Sequence, residues 1–111
     1  MSEFFGIKVE DIFNSMKTRF RQEGAGGVDK IFGYDIAGIG KWKLSVKDGK
    51  MALDKTDDLS GCDVALQTDG ETFVGINIGK VDAMTAFTSR KLKVKGDMNT
   101  FGLTSKMFTK Y

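Results

Sequence analysis

The spacing of apolar residues changes in the first half of the chain, and this change limits the folds that the chain can adopt. Between residues 8 and 22 the apolar positions recur every three or four residues; they are Val9, Ile12, Phe13, Met16 and Phe20. This period places them on one side of an amphipathic helix. From residue 32 to residue 53, apolar residues instead alternate with others, which is the two-residue period of a strand. The pattern therefore predicts one helix followed by antiparallel strands.

Turn residues divide the alternating region into three strands. Gly38-Ile39-Gly40 separates the first strand from the second, and Asp48-Gly49, a strong two-residue hairpin signal, separates the second from the third. The apolar positions of these strands are Phe32, Tyr34, Ile36, Trp42, Leu44, Val46, Met51 and Leu53. Lysines occupy several of the alternate positions. One face of the predicted sheet is apolar and the other is charged, which is typical of a sheet covered on one side.

The second half of the chain predicts the remaining elements. A polar connector over residues 55–61 leads to a fourth strand, in which Cys62 shares its face with Val64 and Leu66 and is therefore expected to be buried. Thr68 and Glu71 have the spacing of a capping box at the start of a helix. The further predicted elements are a helix capped by Asp82, a fifth strand with Leu92 and Val94, and a terminal helix from Asp97 to Phe108.

The order of these elements is αβββ, crossover, βααβα. Strands followed by helices that return to one face predict an α+β fold of two layers, with a five-stranded sheet covered on one face by helices. The chain contains no repeat and no linker-like segment, so we expect residues 1–111 to form a single domain.

The residue types restrict the chemistry that this fold can perform. The 111 residues include no His, no Pro and one Cys. Without His there is no Ser/His or Cys/His catalytic pair, and a lone Cys supports neither a disulfide nor a thiolate metal site. Nine Phe and six Met instead supply apolar bulk that adapts to irregular partners. We therefore expect a binding protein rather than an enzyme, with no cofactor and no metal.

Charge and hydropathy suggest where such a protein works. Lys and Arg number 17 against 15 Asp and Glu, a balance that does not favour a nucleic-acid partner. No apolar run approaches the roughly 20 residues of a membrane span, and the acidic N-terminus differs from that of a signal peptide. The expected location is cytoplasmic, with Cys62 reduced.

A series of short motifs follows the polar connector. They are Cys62-Asp63-Val64-Ala65-Leu66 with Asp69 and Phe73 behind it, Gly79-Lys80, Ala86-Phe87, and Lys91-Leu92-Lys93-Val94-Lys95-Gly96-Asp97-Met98. With the order of elements, these motifs resemble the sterol carrier protein type 2 (non-specific lipid-transfer) family over residues 9–108. The resemblance implies a twisted five-stranded sheet, helices on one side, a lipid-sized apolar tunnel between the layers and no catalytic machinery.

The sequence departs from this family at two places. Arg90 stands where family members commonly carry Gly before the Lys-Leu-Lys segment, so the local turn is expected to differ. Peroxisomal members end in a tripeptide similar to Ser-Lys-Leu, whereas this sequence ends in Thr109-Lys110-Tyr111. The family resemblance leaves a peroxisomal location open, but this tripeptide does not indicate one.

Together the patterns and the resemblance predict a monomeric protein that binds and transfers a long-chain lipid, which is a fatty acid, a fatty acyl-CoA or a sterol. The predicted lipid-contacting residues lie at inward strand positions or apolar helix positions, and some of them must be ordinary core: Phe13, Met16, Phe20, Phe32, Tyr34, Ile36, Trp42, Leu44, Phe73, Ile76, Met84, Phe87, Phe101, Leu103, Met107 and Phe108. Arg19, near the C-terminal end of the first helix, either offsets the helix dipole or joins this set as a partner for a fatty-acid carboxylate, which a guanidinium binds with two parallel hydrogen bonds.

Other interpretations remain open. The chain is alternatively a protein-interaction module without a lipid ligand, or a nucleic-acid binder that uses its lysine face. That face is either solvated surface or a site of transient contact with anionic membranes. The terminal segment from Met98 to Phe108 is apolar over a wide arc and poor in residues that favour helix. It therefore either packs as ordinary core or acts as a gate over a lipid cavity.

Overall fold

A computed structural model of the chain describes residues 3–111. Its elements, in chain order, are β1 (Glu3–Phe4), β2 (Ile7–Lys8), α1 (Val9–Arg19), β3 (Lys30–Ile36), β4 (Gly40–Lys47), β5 (Lys50–Lys55), β6 (Val64–Thr68), α2 (Gly70–Asn77), α3 (Ala83–Thr88), β7 (Leu92–Gly96), α4 (Met98–Gly102) and α5 (Thr104–Met107). A 3₁₀ turn, Gln22–Ala25, follows α1. None of the helices in this range is long and apolar enough to cross a membrane.

The strands β3 to β7 form one five-stranded sheet in the order β5-β4-β3-β6-β7. β3 pairs with β6 in parallel, and the other three pairs are antiparallel. The parallel pair arises because the connector over residues 56–63 returns the chain from the edge strand β5 to the open side of β3. The sheet and its helices confirm the predicted α+β class and the crossover within it.

The apolar face of the sheet and the apolar stripe of α1 meet in the core. Residues at the predicted inward positions of β3 and β4 are at most 5% exposed, and Val9, Ile12, Phe13 and Met16 of α1 are at most 6% exposed. Burying each large apolar side chain contributes about 1.5–3 kcal/mol, which is why the two periods read from the sequence decide this part of the fold. The hairpin between β4 and β5 also follows its prediction, because Asp48 and Gly49 both have positive φ (54° and 73°), as a type I′ turn requires.

Three predicted helix starts have different outcomes. Asp82 and Asp97 cap α3 and α4, accepting hydrogen bonds from the N–H groups of Thr85 and Asn99. The capping box predicted from Thr68 was wrong. Thr68 still belongs to β6, and the carboxylate of Asp69 caps α2 by accepting from the Thr72 N–H at 2.7 Å. The strand extends to Thr68 because this residue pairs with Leu92 of β7.

The prediction for Cys62 was also wrong. β6 begins at Val64, and Cys62 lies before it on the face opposite the helices, half-buried beside Gly33. The alternation breaks at Asp63, whose carboxylate accepts from the Ile31 N–H at 2.7 Å while its own N–H donates to the Ile31 carbonyl at 2.8 Å. Burial raises the pKa of the Cys62 thiol, so it is not activated as a nucleophile.

The ends of the described chain differ from the predicted pattern. The short hairpin of β1 and β2 was not predicted, since strands of two residues carry no readable period. The terminal helix is divided into α4 and α5 at Leu103. The β1–β2 hairpin and α5 both pack tightly against the rest of the protein. A side chain at Gly70 would collide with the Phe4 ring of β1, and one at Gly24 would collide with the Lys106 carbonyl of α5.

Candidate functional site

A cavity of about 600 Å³ lies between the helices and one half of the sheet. Its floor consists of inward-facing residues of β3, β6 and β7, namely Tyr34, Leu66, Thr68 and Leu92. Its walls come from α1, α2, α3, α4, α5 and the segment after α5: Met16, Arg19, Phe73, Ile76, Asn77, Ala83, Met84, Met98, Asn99, Phe101, Gly102, Thr104, Ser105, Phe108, Thr109 and Lys110. This volume is within the range of about 300–1,000 Å³ that is usual for small-molecule sites.

The cavity occupies only one half of the layer interface because stacked aromatic rings fill the other half. The Phe13 ring lies parallel to the Trp42 ring at 4.1 Å and to the Phe73 ring at 4.8 Å, and the Tyr34 ring meets it edge-on at 5.4 Å. This aromatic stack covers β4, so the space remains over β6 and β7. The space is therefore a cavity at one end of the interface, rather than a tunnel along all of it.

Eight of the predicted lipid-contacting residues lie in the cavity wall. They are Met16, Arg19, Tyr34, Phe73, Ile76, Met84, Phe101 and Phe108. The other nine lie elsewhere: Phe13, Phe20, Phe32, Ile36, Trp42, Leu44, Phe87, Leu103 and Met107. Some of the set were expected to be ordinary core, and the packing shows that these nine residues lie outside the cavity wall.

The reasons differ among these nine residues. Six of them are at most 5% exposed and belong to the core, and the ring of Phe20 packs against that of Phe108 at 5.5 Å. Leu103 is partly buried against the core, and Phe87 is 38% exposed on α3. Trp42, one of the six core residues, lies under the Lys55 ammonium, 5.2 Å from its ring centre.

The sequence prediction missed several residues of the wall. Leu66 and Leu92 occupy inward strand positions, so the alternation pattern was sufficient to include them. Met98 begins α4, and its apolar character was also a usable signal. Thr68, Asn77 and the polar residues of the terminal segment carried no such signal, since polar side chains in an apolar cavity cannot be recognised by hydrophobic periodicity.

Arg19 is held in the wall by three hydrogen bonds. Its Nε donates to the Ser15 hydroxyl at 2.9 Å, and its two terminal nitrogens donate to the carbonyls of Thr109 (2.8 Å) and Ile12 (3.1 Å). A guanidinium has five N–H groups, so two remain for another partner. Burial lowers the pKa of Arg19, and the nearby Tyr111 and Tyr34 oppose this shift. The side chain therefore joins α1 to the end of the chain and still has unused donors.

Tyr34 brings a second polar group to the cavity. The residue is only 4% exposed, yet its hydroxyl has no hydrogen-bond partner within residues 3–111. Every side-chain polar atom fully enclosed by these residues does have a partner, so the Tyr34 hydroxyl must reach the open space of the cavity. Burial raises the pKa of Tyr34 far above its usual range, with the Arg19 charge acting in the opposite direction. The phenol is thus neutral at physiological pH.

Charges in the wall have one sign. Arg19 and Lys110 are its cationic residues, and within the described chain no Asp or Glu lines the cavity. No carboxylate of residues 3–111 forms an ion pair with Arg19. The same range contains no cluster of His, Cys, Asp and Glu that is able to hold a metal ion. The cavity combines apolar contact surface with positive charge and hydrogen-bond donors.

Comparisons with known proteins extend this description. Peroxisomal multifunctional enzyme A of Dictyostelium discoideum is 32% identical over 108 residues, which are 92% of this chain and 24% of that protein. Hydroxysteroid dehydrogenase-like protein 2 of Xenopus tropicalis is 29% identical over 92 residues, which are 81% of this chain and 22% of that protein. The chain thus spans about a quarter of the length of these curated relatives.

A solved structure shares the fold. The solution structure of palmitated SCP2L2 from Aedes aegypti superposes with a TM-score of 0.72 at 18% identity, and the match covers 95% of this chain and 99% of that one. The sequence profile described as the SCP-2 sterol transfer family matches residues 13–108, which include the larger part of α1, all five strands of the large sheet and most of the cavity wall. The chain therefore belongs to the SCP-2 sterol transfer family.

Proposed function

We propose that the chain binds one long-chain lipid in the cavity and transfers it between membranes, without catalysing a reaction of its own. The observation that carries this proposal is the cavity of about 600 Å³ with its mostly apolar lining. Removing apolar ligand surface from water contributes about 25 cal/mol per Å². Met16, Met84 and Met98 supply flexible side chains that adapt to ligands of different shape, so we expect loose selectivity for the lipid tail.

Family membership supports a lipid ligand in general terms, and the palmitated Aedes aegypti protein supports a fatty acid in particular. The eight predicted residues that line the cavity are those we propose to contact the lipid. Arg19 is proposed to meet the carboxylate of a fatty acid through its two unused N–H groups.

The helix α3 is the part of the cavity rim that we propose to contact membranes. Met84 lines the cavity and is 59% exposed, and Phe87, one turn later, is 38% exposed. The exposed cations Lys80, Arg90 and Lys91 lie just before and after this helix. Apolar side chains flanked by cations suit a transient contact with an anionic lipid surface. Lipid then enters or leaves the cavity next to Met84.

The location of this activity also remains a proposal. The cytoplasm is the location predicted from the sequence, and the printed name of the Dictyostelium discoideum relative contains the word peroxisomal. Fluorescence microscopy of the tagged protein in its own cells distinguishes the two compartments.

The decisive experiment is organic extraction of the purified protein followed by mass spectrometry, together with displacement of a fluorescent fatty acid. We expect a bound lipid in the extract and saturable displacement by long-chain lipids. A clean extract with no displacement by fatty acid, acyl-CoA or sterol contradicts the carrier function and favours the protein-interaction alternative.

A matched pair of glycine variants assigns binding to this cavity. Gly102 lines the cavity and Gly26 does not, and a Cβ at either position meets no atom within 4 Å. Gly102→Trp places an indole at the cavity and should weaken binding about tenfold or more, whereas Gly26→Trp should leave it unchanged. Equal affinities in the two variants contradict binding at this site.

A further inference from the structure

Asn77, the last residue of α2, is a polar residue on the apolar side of its helix. Phe73 lies four residues before it and Ile76 one residue before it, so the i, i+3, i+4 spacing places all three on one side of α2. All three line the cavity. An apolar side chain at position 77 would continue this wall without burying a polar group. Asn77 is thus the polar exception in an apolar stripe.

A hydrogen bond to its own helix fixes the orientation of the Asn77 amide. Its Nδ2 donates to the Phe73 carbonyl at 2.8 Å, and because a carbonyl only accepts, the nitrogen must be the atom on that side. No donor within residues 3–111 reaches Oδ1, although every fully enclosed side-chain polar atom of these residues has a partner. Oδ1 therefore borders open space, and the cavity is the space that Asn77 lines.

Three hydroxyl groups of the cavity wall are also left as acceptors. Thr68, Thr104 and Ser105 each donate their proton to a backbone carbonyl, at 2.8, 2.9 and 2.9 Å. Only the lone pairs of these oxygens remain for a ligand. A carboxylate bound by Arg19 uses donors of the wall and has no proton to give to its acceptors. The proposed fatty-acid head group therefore leaves the acceptors, Asn77 Oδ1 among them, without a partner.

We infer that the Asn77 amide oxygen accepts a hydrogen bond from a hydroxyl group on the lipid chain, and that the preferred ligand is a hydroxylated fatty acid. A hydroxyl is a donor that a lipid chain carries without a charge. A sterol also has a hydroxyl but has no anion for Arg19, whereas a hydroxylated fatty acid satisfies both residues. The inference rests on the proposed carrier function and adds Asn77 as a residue that determines specificity.

The test compares hexadecanoic acid with isomers that carry one hydroxyl near the carboxylate, at mid-chain or at the terminal carbon. Affinities are measured by displacement of a fluorescent fatty acid from the wild type and from Asn77→Leu, whose side chain is similar in size but has no acceptor. For at least one isomer, we expect Asn77→Leu to weaken binding of the hydroxy acid about tenfold relative to hexadecanoic acid, because its hydroxyl is then unpaired in an apolar cavity.

A methoxy analogue of the same isomer separates hydrogen-bond donation from polarity. The methoxy group keeps the oxygen but cannot donate, so we expect the wild type to bind this analogue about tenfold more weakly than the hydroxy acid. This comparison needs no variant and therefore holds even if Asn77→Leu does not fold.

Asn14→Leu is the matched control. Asn14 is exposed on α1 and does not line the cavity. We expect the ratio of its affinities for the hydroxy acid and for hexadecanoic acid to equal that of the wild type. Thermal unfolding of both variants verifies that the fold is intact.

The possible contrary results are distinct. Equal affinity ratios in the wild type and in Asn77→Leu for every isomer overturn the role of Asn77, as does equal wild-type binding of hydroxy and methoxy acids; in both cases the carrier function stands. Weaker binding of cholesterol to Asn77→Leu, with no change for any hydroxy acid, overturns the ligand class in favour of a sterol. Absence of binding to the acids and to cholesterol contradicts the carrier function itself.

Discussion

At the scale of single residues, the backbone of Arg90 has a conformation that is unfavourable for any residue other than glycine. Arg90 has a φ of 65°, the left-handed conformation that glycine adopts most easily. The turn that ends α3 is closed by the Lys91 N–H, which donates to the Ala86 carbonyl at 2.9 Å. Arg90 therefore adopts the conformation that suits glycine, and the hydrogen bonds of the turn hold it there.

Arg90→Gly should therefore stabilise the protein. Relief of the left-handed conformation is worth about 1–2 kcal/mol, and the greater freedom of glycine in the unfolded chain offsets about half of it. We expect the free energy of unfolding to rise by about 0.5–1 kcal/mol in urea denaturation. Arg90→Ala retains a Cβ and is the control. Equal stability of the glycine and alanine variants would show that the turn is not strained.

A second residue-scale prediction concerns Tyr34 at high pH. In the unfolded chain Tyr34 ionises at a pH of about 10, whereas burial raises the pKa of the folded residue well above that value. Its contribution to stability is complete below pH 10 and is lost progressively as the pH rises further, because only the unfolded state releases the proton. Tyr34→Phe should lose less stability than the wild type between pH 9 and pH 11.

Urea denaturation at several pH values measures this difference. Tyr111→Phe serves as the control, since that residue is 44% exposed and should leave the alkaline loss of stability unchanged. Parallel curves for the wild type and Tyr34→Phe would contradict the effect of burial on Tyr34.

At the scale of elements, the two terminal helices differ in how firmly they are held. Met107 of α5 is fully buried, the Arg21 N–H donates to its carbonyl at 2.6 Å, and the Lys106 carbonyl lies against Gly24. In α4, by contrast, Met98, Phe101 and Gly102 face the cavity. For residues 98–108, where ordinary packing and a gate were both open, we propose that α4 is the part that gates the cavity and that α5 is its anchor.

Addition of hexadecanoic acid should slow amide hydrogen exchange across residues 98–108 more than across β3 and β4. The expected reason is that α4 gains contacts with the lipid, while the central strands are already buried. Within the segment, we expect the larger change in α4. Hydrogen exchange with mass spectrometry on peptides from each element measures both comparisons. Unchanged protection across this segment would rule out a gate.

At the scale of the whole molecule, the aromatic stack determines where the protein is filled and where it is hollow. Phe13 is 1% exposed and joins Trp42 of β4 to Phe73 of α2. Its removal leaves a void among rings that are held by separate elements. Phe13→Ala should lower the free energy of unfolding by about 3–5 kcal/mol.

Phe87→Ala is the comparison for this prediction, because Phe87 is also a phenylalanine on the helix layer but is 38% exposed. We expect it to cost less than about 1 kcal/mol. Urea denaturation of both variants gives the difference. Similar losses in the two variants would show that the stack is not central to the fold.

The sequence by itself determined the elements whose signals are local. The helical period in residues 9–20, the alternation of β3 and β4, the Asp48-Gly49 turn and the caps at Asp82 and Asp97 all depend on residues within a few positions of each other. The same signals identified which face of the sheet is apolar, and together with the short motifs of residues 62–98 they indicated the family resemblance.

Only the tertiary structure decided which apolar residues are core and which face a cavity. Phe13 and Met16 lie on the same apolar side of α1. Phe13 is nevertheless enclosed between Trp42 and Phe73, whereas Met16 lines the cavity. The parallel pairing of β3 with β6 and the placement of Tyr34 and Arg19 in the wall of one cavity depend likewise on contacts between distant segments. Burial requires only an apolar side chain, whereas a cavity forms where side chains from several elements fail to fill the space between them, and no local pattern records that volume.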